Sequence, residues 1–211
     1  LSTGGSVRLA IDSSGNVGIN DTTPSYTLDV DGDINATGDV RVAGNPVGMV
    51  LVKSQTIGTG VSSVTITDAF SADFENYRIV GLIKDSSNNT AVTWSSPQET
   101  GNHYQHAGYY LNLYATPTGA TYFGAQSQTT AQCGFTTANS TGDGGAFIMD
   151  IFGPYDSTLQ TKYFAKSTTY IVHDIWGRIT DTYTSLTDIK FHPAAGAFNG
   201  GTIRIYGYND G

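Results

Sequence analysis

Cysteine, glutamate and basic residues are scarce in this 211-residue sequence. These scarcities argue in turn against disulfides, against a helical fold and against anionic partners. The single Cys133 has no partner for a disulfide within the chain, so stability must come from packing or assembly. Glu75 and Glu99 are the only glutamates, which is a low content of a strong helix former. Ten basic residues against 18 acidic ones give a net charge of −8. This charge argues against nucleic acid and anionic membrane surfaces as partners.

Long apolar runs are also missing, and no segment approaches the roughly 20 apolar residues that a membrane-spanning helix needs. Glycine and strand-forming residues are abundant instead, with 26 glycines and 13 tyrosines. Threonine, valine, isoleucine and tyrosine favour strands, and short alternating apolar segments recur between turn residues. The sequence therefore predicts an all-β protein.

Residues 1–48 repeat loosely, with a glycine-containing turn beside a short alternating strand in RLAIDSSGNVGIN, YTLDVDGDINATG and GDVRVAGNPVG. Strands this short bury little apolar area, which does not offset an ordering cost of about 1–2 kcal/mol per residue. Repeat units of this kind become stable when copies bury each other's apolar faces. We therefore expect residues 1–48 to form a short, repetitive β-rich oligomeric stalk.

Residues 49–211 show a different sequence pattern, with roughly ten consecutive predicted strands separated by turns. This spacing is typical of an antiparallel β-sandwich of the jelly-roll kind, and the segment is long enough to bury its own core. The boundary falls at GNPVG, Gly44–Gly48. A single turn around Asp68–Asn76 is the only helix candidate.

The acidic segment YTLDVDGDINATGDV invites comparison with a calcium loop, because Asp29, Asp31 and Asp33 alternate. Counted from Asp29, however, the sixth and twelfth positions are Ile34 and Val40, where a calcium loop requires glycine and glutamate. The Asp-Gly sequence predicts a tight turn instead. No metal is expected here.

GNVGINDTTPSYTLDVDGDINATGDV resembles a motif of tail fibres and other adhesive appendages of tailed bacteriophages, of the form GNVGI-TxxPxxxLDVxGxIxATG. The second segment is similar to the C-terminal domains of phage fibres over VLVKSQTIGTGVSSVTITDAFS, ENYRIV and GTIRIYGY. The resemblance implies a homotrimeric fibre whose terminal domain recognises the host surface, at the distal end of the fibre on the virion. The chain begins at Leu1 rather than Met, so we expect a C-terminal piece of a longer fibre. In many such genes a self-cleaving chaperone domain follows the motif; here it either lies beyond residue 211 or is not part of this fibre.

Two aromatic segments are candidates for receptor binding, because aromatic faces stack on sugar rings while neighbouring polar groups form hydrogen bonds. The first is the loop Gln98–His106 with a tryptophan shortly before it, and the second is HDIWGR. Either aromatic set could instead pack in a core or a trimer interface, which is the interpretation favoured for Tyr109–Tyr114. The candidate residues are Trp94, His103, Tyr104, His106, Asp174, Trp176 and Arg178.

The pair His103 and His106 has no cysteine or third histidine nearby, and a three-residue spacing on a strand places the rings on opposite faces. No metal and no cofactor are predicted, and the one alternative for a metal is an ion on the trimer axis that is bound by one histidine from each chain. The segments SSNNT and FTTANSTGDGG are expected to form exposed hairpin tips.

A glycosidase needs a pair of carboxylates, and the candidates in this sequence are Asp150, Asp156, Asp174, Asp181 and Asp188. Most of them stand beside turn residues, where aspartate is common for structural reasons.

The sequence contains no nucleophile elbow, phosphate loop or dinucleotide motif, so no enzyme is predicted. The favoured function is recognition of a host-surface glycan or outer-membrane protein, without membrane insertion, by a homotrimer whose weak sites act together. One alternative is a structural connector or decoration protein that binds another viral protein. A less favoured alternative is a depolymerase of surface polysaccharide.

Overall fold

The structure is a computed structural model that describes residues 2–4, 6–38, 40–42, 44–85, 90–112, 120–136, 144–168, 171–180 and 184–208. Most of the two predicted hairpin tips, SSNNT and FTTANSTGDGG, lies outside these residues, as does Asp181. The chain divides into two compact units, Leu1–Val42 and Ala43–Gly211.

The protein is all-β, and the described residues contain strands and turns but no helix. The helical turn considered around Asp68–Asn76 does not form, because residues 67–75 make turns and Asp68 has a positive φ of 50°. The strands are β1 Ser2–Thr3, β2 Ser6–Val7, β3 Leu9–Ile11, β4 Val17–Ile19, β5 Leu28–Val30, β6 Arg41–Val42, β7 Asn45–Pro46, β8 Met49–Val61, β9 Val64–Ile66, β10 Asn76–Asp85, β11 Thr90–Ser95, β12 Tyr104–Asn112, β13 Thr121–Gln128, β14 Ala131–Thr136, β15 Gly145–Phe152, β16 Lys162–Thr168, β17 Ile171–Ile179, β18 Ile189–Pro193 and β19 Phe198–Tyr208.

The first unit consists of short strands joined by polar turns. β4 pairs antiparallel with β3 and parallel with β5. The Asp12 carboxylate closes the turn between β3 and β4 by accepting hydrogen bonds from the backbone N–H groups of Ser14 and Asn16, at 2.8 and 2.9 Å. Of the residues of this unit whose burial is described, only Gly18 and Pro24 are buried. Hydrogen-bonded turns, rather than a core, thus hold its local structure.

The second unit contains two antiparallel sheets that face each other. One has eight strands in the order β13-β12-β17-β16-β15-β10-β19-β8, and the other has four in the order β14-β11-β18-β9. Burial alternates along the strands: in β15, Phe147, Met149 and Ile151 are buried, whereas Ile148 and Phe152 are exposed. This alternation gives the eight-stranded sheet an inner face towards the core and an outer face towards solvent.

Aromatic side chains join the two sheets in the core. The Trp94 ring from the four-stranded sheet meets the rings of Tyr104 and Tyr163 edge to face, with centroid separations of 5.4 and 5.3 Å. Both hydroxyl groups are satisfied: Tyr104 Oη accepts from the Ser96 N–H at 2.7 Å, and Tyr163 Oη donates to the Gln132 carbonyl at 2.8 Å. The part of the chain that the structure describes has no helix long and apolar enough to cross a membrane.

Candidate functional site

A pocket of about 420 Å³ lies across β13, β12, β17 and β16, four neighbouring strands of the eight-stranded sheet. The register of these strands brings its residues together. Gln105 pairs with Arg178, and Arg178 pairs in turn with Lys162, so that three polar side chains form one row across three strands. The row beside it contains His106, Gly177 and Tyr163. Strand order thus assembles this site from segments that are distant in sequence.

Gly177 permits the close approach of two strands at the pocket. A Cβ atom at this position would overlap the ring of Tyr163 and the backbone carbonyl oxygen of Gln105. Both of these residues also line the pocket. A side chain at residue 177 would therefore displace the Tyr163 ring or the backbone of β12, and both belong to strands that carry the pocket.

Trp176 supplies an aromatic surface at the pocket, with 45% of the residue exposed. Its ring lies 6.5 Å from that of Tyr109, which is 6.2 Å from the ring of Tyr122. The Tyr109 hydroxyl donates a hydrogen bond to Asp174 Oδ2 at 2.6 Å, and this bond raises the pKa of Tyr109. Lys166 Nζ lies 3.3 Å from the other carboxylate oxygen of Asp174. The aromatic surface is thus bordered by fixed polar groups.

The polar groups at the pocket are cationic or neutral. Arg178 Nε donates to Gln105 Oε1 at 3.2 Å, and Lys162 lies directly opposite Arg178. Desolvation lowers the pKa of His106, whose ring shares the inner face of β12 with Tyr104. Its buried Nδ1 has no hydrogen-bond partner among the described residues. The described lining includes no carboxylate.

Three of the seven residues selected from the sequence, His106, Trp176 and Arg178, line this one pocket. Asp174 belongs to the same strand as Trp176, two residues away and therefore on the same face of the sheet. The segment HDIWGR is thus directed outwards at its alternate positions 174, 176 and 178. This geometry is compatible with the predicted binding role of the segment.

Trp94 and Tyr104 are different, because both are fully buried in the core between the sheets. Their predicted place in a receptor-binding surface is corrected: neither presents any surface to a ligand. The reason is the phase of the strand, since Thr90, Val92 and Trp94 all point inwards from β11.

His103 also lies away from the pocket. Its Nδ1 is 2.7 Å from the carboxylate of Glu99, which is buried. In the same loop, the Gln98 side chain both donates to Asp188 Oδ2 and accepts from the Asp188 N–H, each at 3.1 Å. The loop proposed for recognition is therefore tied to the body of the unit by internal hydrogen bonds.

The candidate residues chosen from the sequence omit Lys162, Tyr109 and Gln105, although Gln105 belongs to the candidate loop Gln98–His106. Tyr109 was assigned to a core or interface, yet it lies partly exposed on the outer face beside Trp176. Lys162 carried a usable signal, because TKYFAKST alternates between exposed and buried positions, with Lys162 and Lys166 outwards. That alternation does not reveal which strands flank β16.

No metal-binding cluster of three or more histidine, cysteine, aspartate or glutamate side chains occurs in the described ranges. No protein-family model matches the sequence, and no curated protein matches it with significant similarity.

Proposed function

We propose that the protein recognises a receptor on a host cell surface by binding alone, and that the pocket beside Trp176 takes a saccharide. The observation that carries this proposal is the half-exposed indole of Trp176 at a pocket whose rim holds Gln105 and Arg178. An indole face packs against the C–H groups of a sugar, and the neighbouring amide and guanidinium groups reach its hydroxyls.

The proposed assembly is a homotrimer at the distal end of a viral tail fibre, with jelly-roll-like heads on a trimeric stalk. The support comes from the first unit, where Ile11, Leu28 and Ile34 are 69%, 59% and 69% exposed. Apolar side chains left in water by one chain are available for burial by its copies. Three linked sites would then convert weak binding of single sugars into strong attachment through avidity.

A structural connector is the second candidate function. The outer face of the eight-stranded sheet also exposes Leu82, Ile148 and Phe152, which lie on neighbouring strands β10 and β15. Exposed apolar side chains on one face of a sheet suit contact with another protein. In this alternative the partner is a second viral protein, and cells are not bound.

The test is binding of fluorescently labelled protein to host cells and to immobilised surface glycans. We expect Trp176→Ala to abolish binding, while Leu82→Ala serves as the control: it removes an exposed apolar side chain of the same outer face that neither lines the pocket nor pairs with a residue that does. Binding of the Trp176→Ala variant at the wild-type level would overturn the proposal. Loss of binding to a viral protein in the Leu82→Ala variant alone would favour the connector.

A further inference from the structure

Lys162 and Arg178 place two positive charges directly opposite each other in the sheet. They are paired residues of β16 and β17, both are exposed, and both line the pocket. Like charges at directly opposed positions on one face of a sheet are destabilising. An anion held between them would reverse that effect.

The described part of the protein does not supply this anion. Neither Lys162 nor Arg178 forms an ion pair there, and the described lining of the pocket has no carboxylate. Elsewhere on the same outer face, Arg78 is paired with Asp150 and Lys166 with Asp174. The unneutralised pair also stands out in a chain whose net charge is −8.

The remaining groups define what the anion is attached to. The contact from Arg178 Nε to Gln105 orients the guanidinium and leaves its terminal nitrogens available, and these match the two oxygens of a carboxylate or phosphate. Trp176 offers an apolar face for a ring in the same pocket. The volume of about 420 Å³ lies within the usual range for small-molecule sites, about 300–1,000 Å³.

We propose that this pocket is specific for an anionic saccharide, one whose carboxylate or phosphate group is held between Lys162 and Arg178 while the sugar ring lies against Trp176. The inference rests on the proposed function and specifies its ligand class. A neutral sugar would fill the same space but would leave the two cations uncompensated.

The experiment is a titration of the ¹⁵N-labelled protein, followed by NMR at low salt, with glucuronate, glucose 6-phosphate, glucose and inorganic phosphate as separate ligands. We expect at least one anionic sugar to bind about tenfold more tightly than glucose, the scale of one charged hydrogen bond. Arg178→Gln and Lys162→Gln should each remove most of this preference. Arg204→Gln is the control, because Arg204 is an exposed cation on the same sheet outside the pocket. The spectrum of each variant reports whether it is folded.

The outcomes separate the two levels of the proposal. A preference for glucuronate or for glucose 6-phosphate supports it and identifies the carboxylate or phosphate as the recognised group. Equal binding of glucose and both anionic sugars overturns the proposed preference for anionic sugars but still supports the proposed saccharide site. No binding of any sugar overturns both. Inorganic phosphate binding as tightly as glucose 6-phosphate, with no effect of Trp176→Ala, overturns the role of the sugar ring.

Discussion

Arg78 and Asp150 form a two-point ion pair across β10 and β15, with Nε–Oδ1 and Nη2–Oδ2 distances of 2.8 and 2.7 Å. The Tyr208 hydroxyl donates to the same carboxylate at 2.8 Å, and its ring lies 5.6 Å from the Arg78 guanidinium. Since β15, β10 and β19 are adjacent, this group links three strands of the outer face. We expect Asp150→Asn to lower the free energy of unfolding at pH 7 by about 1–2 kcal/mol, measured by urea denaturation.

The same pair makes this effect dependent on pH. Burial raises the pKa of Asp150, but hydrogen bonds from Arg78 and Tyr208 outweigh it and leave the pKa below its usual value. The ionised carboxylate therefore stabilises the fold fully above the unfolded-state pKa of about 3.9, and this stabilisation is lost as the pH falls through the folded-state pKa. The difference between wild type and Asp150→Asn should shrink on acidification. A difference that stays constant down to pH ~2 would contradict this assignment.

The two tryptophans should respond in opposite ways to truncation. Trp94 is fully buried, so Trp94→Ala should cost about 3–5 kcal/mol of unfolding free energy through the cavity that it leaves. Trp176 is half exposed and lies on the outer face, so Trp176→Ala should change stability by less than about 1 kcal/mol. Chemical denaturation of both variants measures this. Similar losses in both would show that the indole of Trp176 is more deeply packed than its exposure indicates.

The all-β class was predictable because alternation and turn residues are local properties of the sequence. Which alternate residues of a strand face the core was not predictable from these properties. That choice determined which aromatic residues are buried and which are exposed. Trp94 stands between Thr93 and Ser95 and Trp176 between Ile175 and Gly177, yet the first points into the core and the second outwards. An aromatic ring suits both places, so only the facing sheet distinguishes them.

Predicting the pocket would require the order of the strands in the sheet, which the alternation of apolar and polar residues does not provide. Lys162 and Arg178 lie on the consecutive strands β16 and β17, and Gln105, which is far from both in sequence, meets them because β17 lies between β12 and β16. From the sequence, HDIWGR was recognisable as a candidate by its tryptophan and flanking charges. Lys162 became a member of the site only through its register with Arg178.

Cys133 should be inert in the folded protein. It is completely buried, burial raises the pKa of its thiol, and its Sγ lies 3.5 Å from the Val92 carbonyl oxygen. Because the thiolate is the reactive form, we expect no reaction with a thiol reagent at pH 8 in native buffer. In denaturant one thiol per chain should react, which serves as the internal control. Rapid labelling under native conditions would contradict the packing of β14.

Gly177 should tolerate no side chain. A Cβ atom there would overlap the Tyr163 ring and the Gln105 carbonyl oxygen, so the strands at the pocket would have to separate. We expect Gly177→Ala to lower the unfolding free energy by about 1–3 kcal/mol and to weaken saccharide binding. Gly58→Ala is the matched control, because its added methyl group meets only ordinary contact, 3.6 Å from Val61. Equal unfolding free energies and equal saccharide binding in the two variants would contradict this role of Gly177.

The exposed apolar side chains of the first unit should hold chains together. Ile11, Leu28 and Ile34 are more than half exposed, and the described part of this unit has no buried apolar core that would stabilise it alone. We therefore expect light scattering after size exclusion to give the mass of three chains, and the double substitution Ile11→Asp with Leu28→Asp to reduce it to one. Ser13→Asp with Ser14→Asp is the control, since both serines are exposed and polar. A wild-type monomer would contradict the stalk, because a single chain would leave these side chains in water with nothing to offset the ordering of the segment.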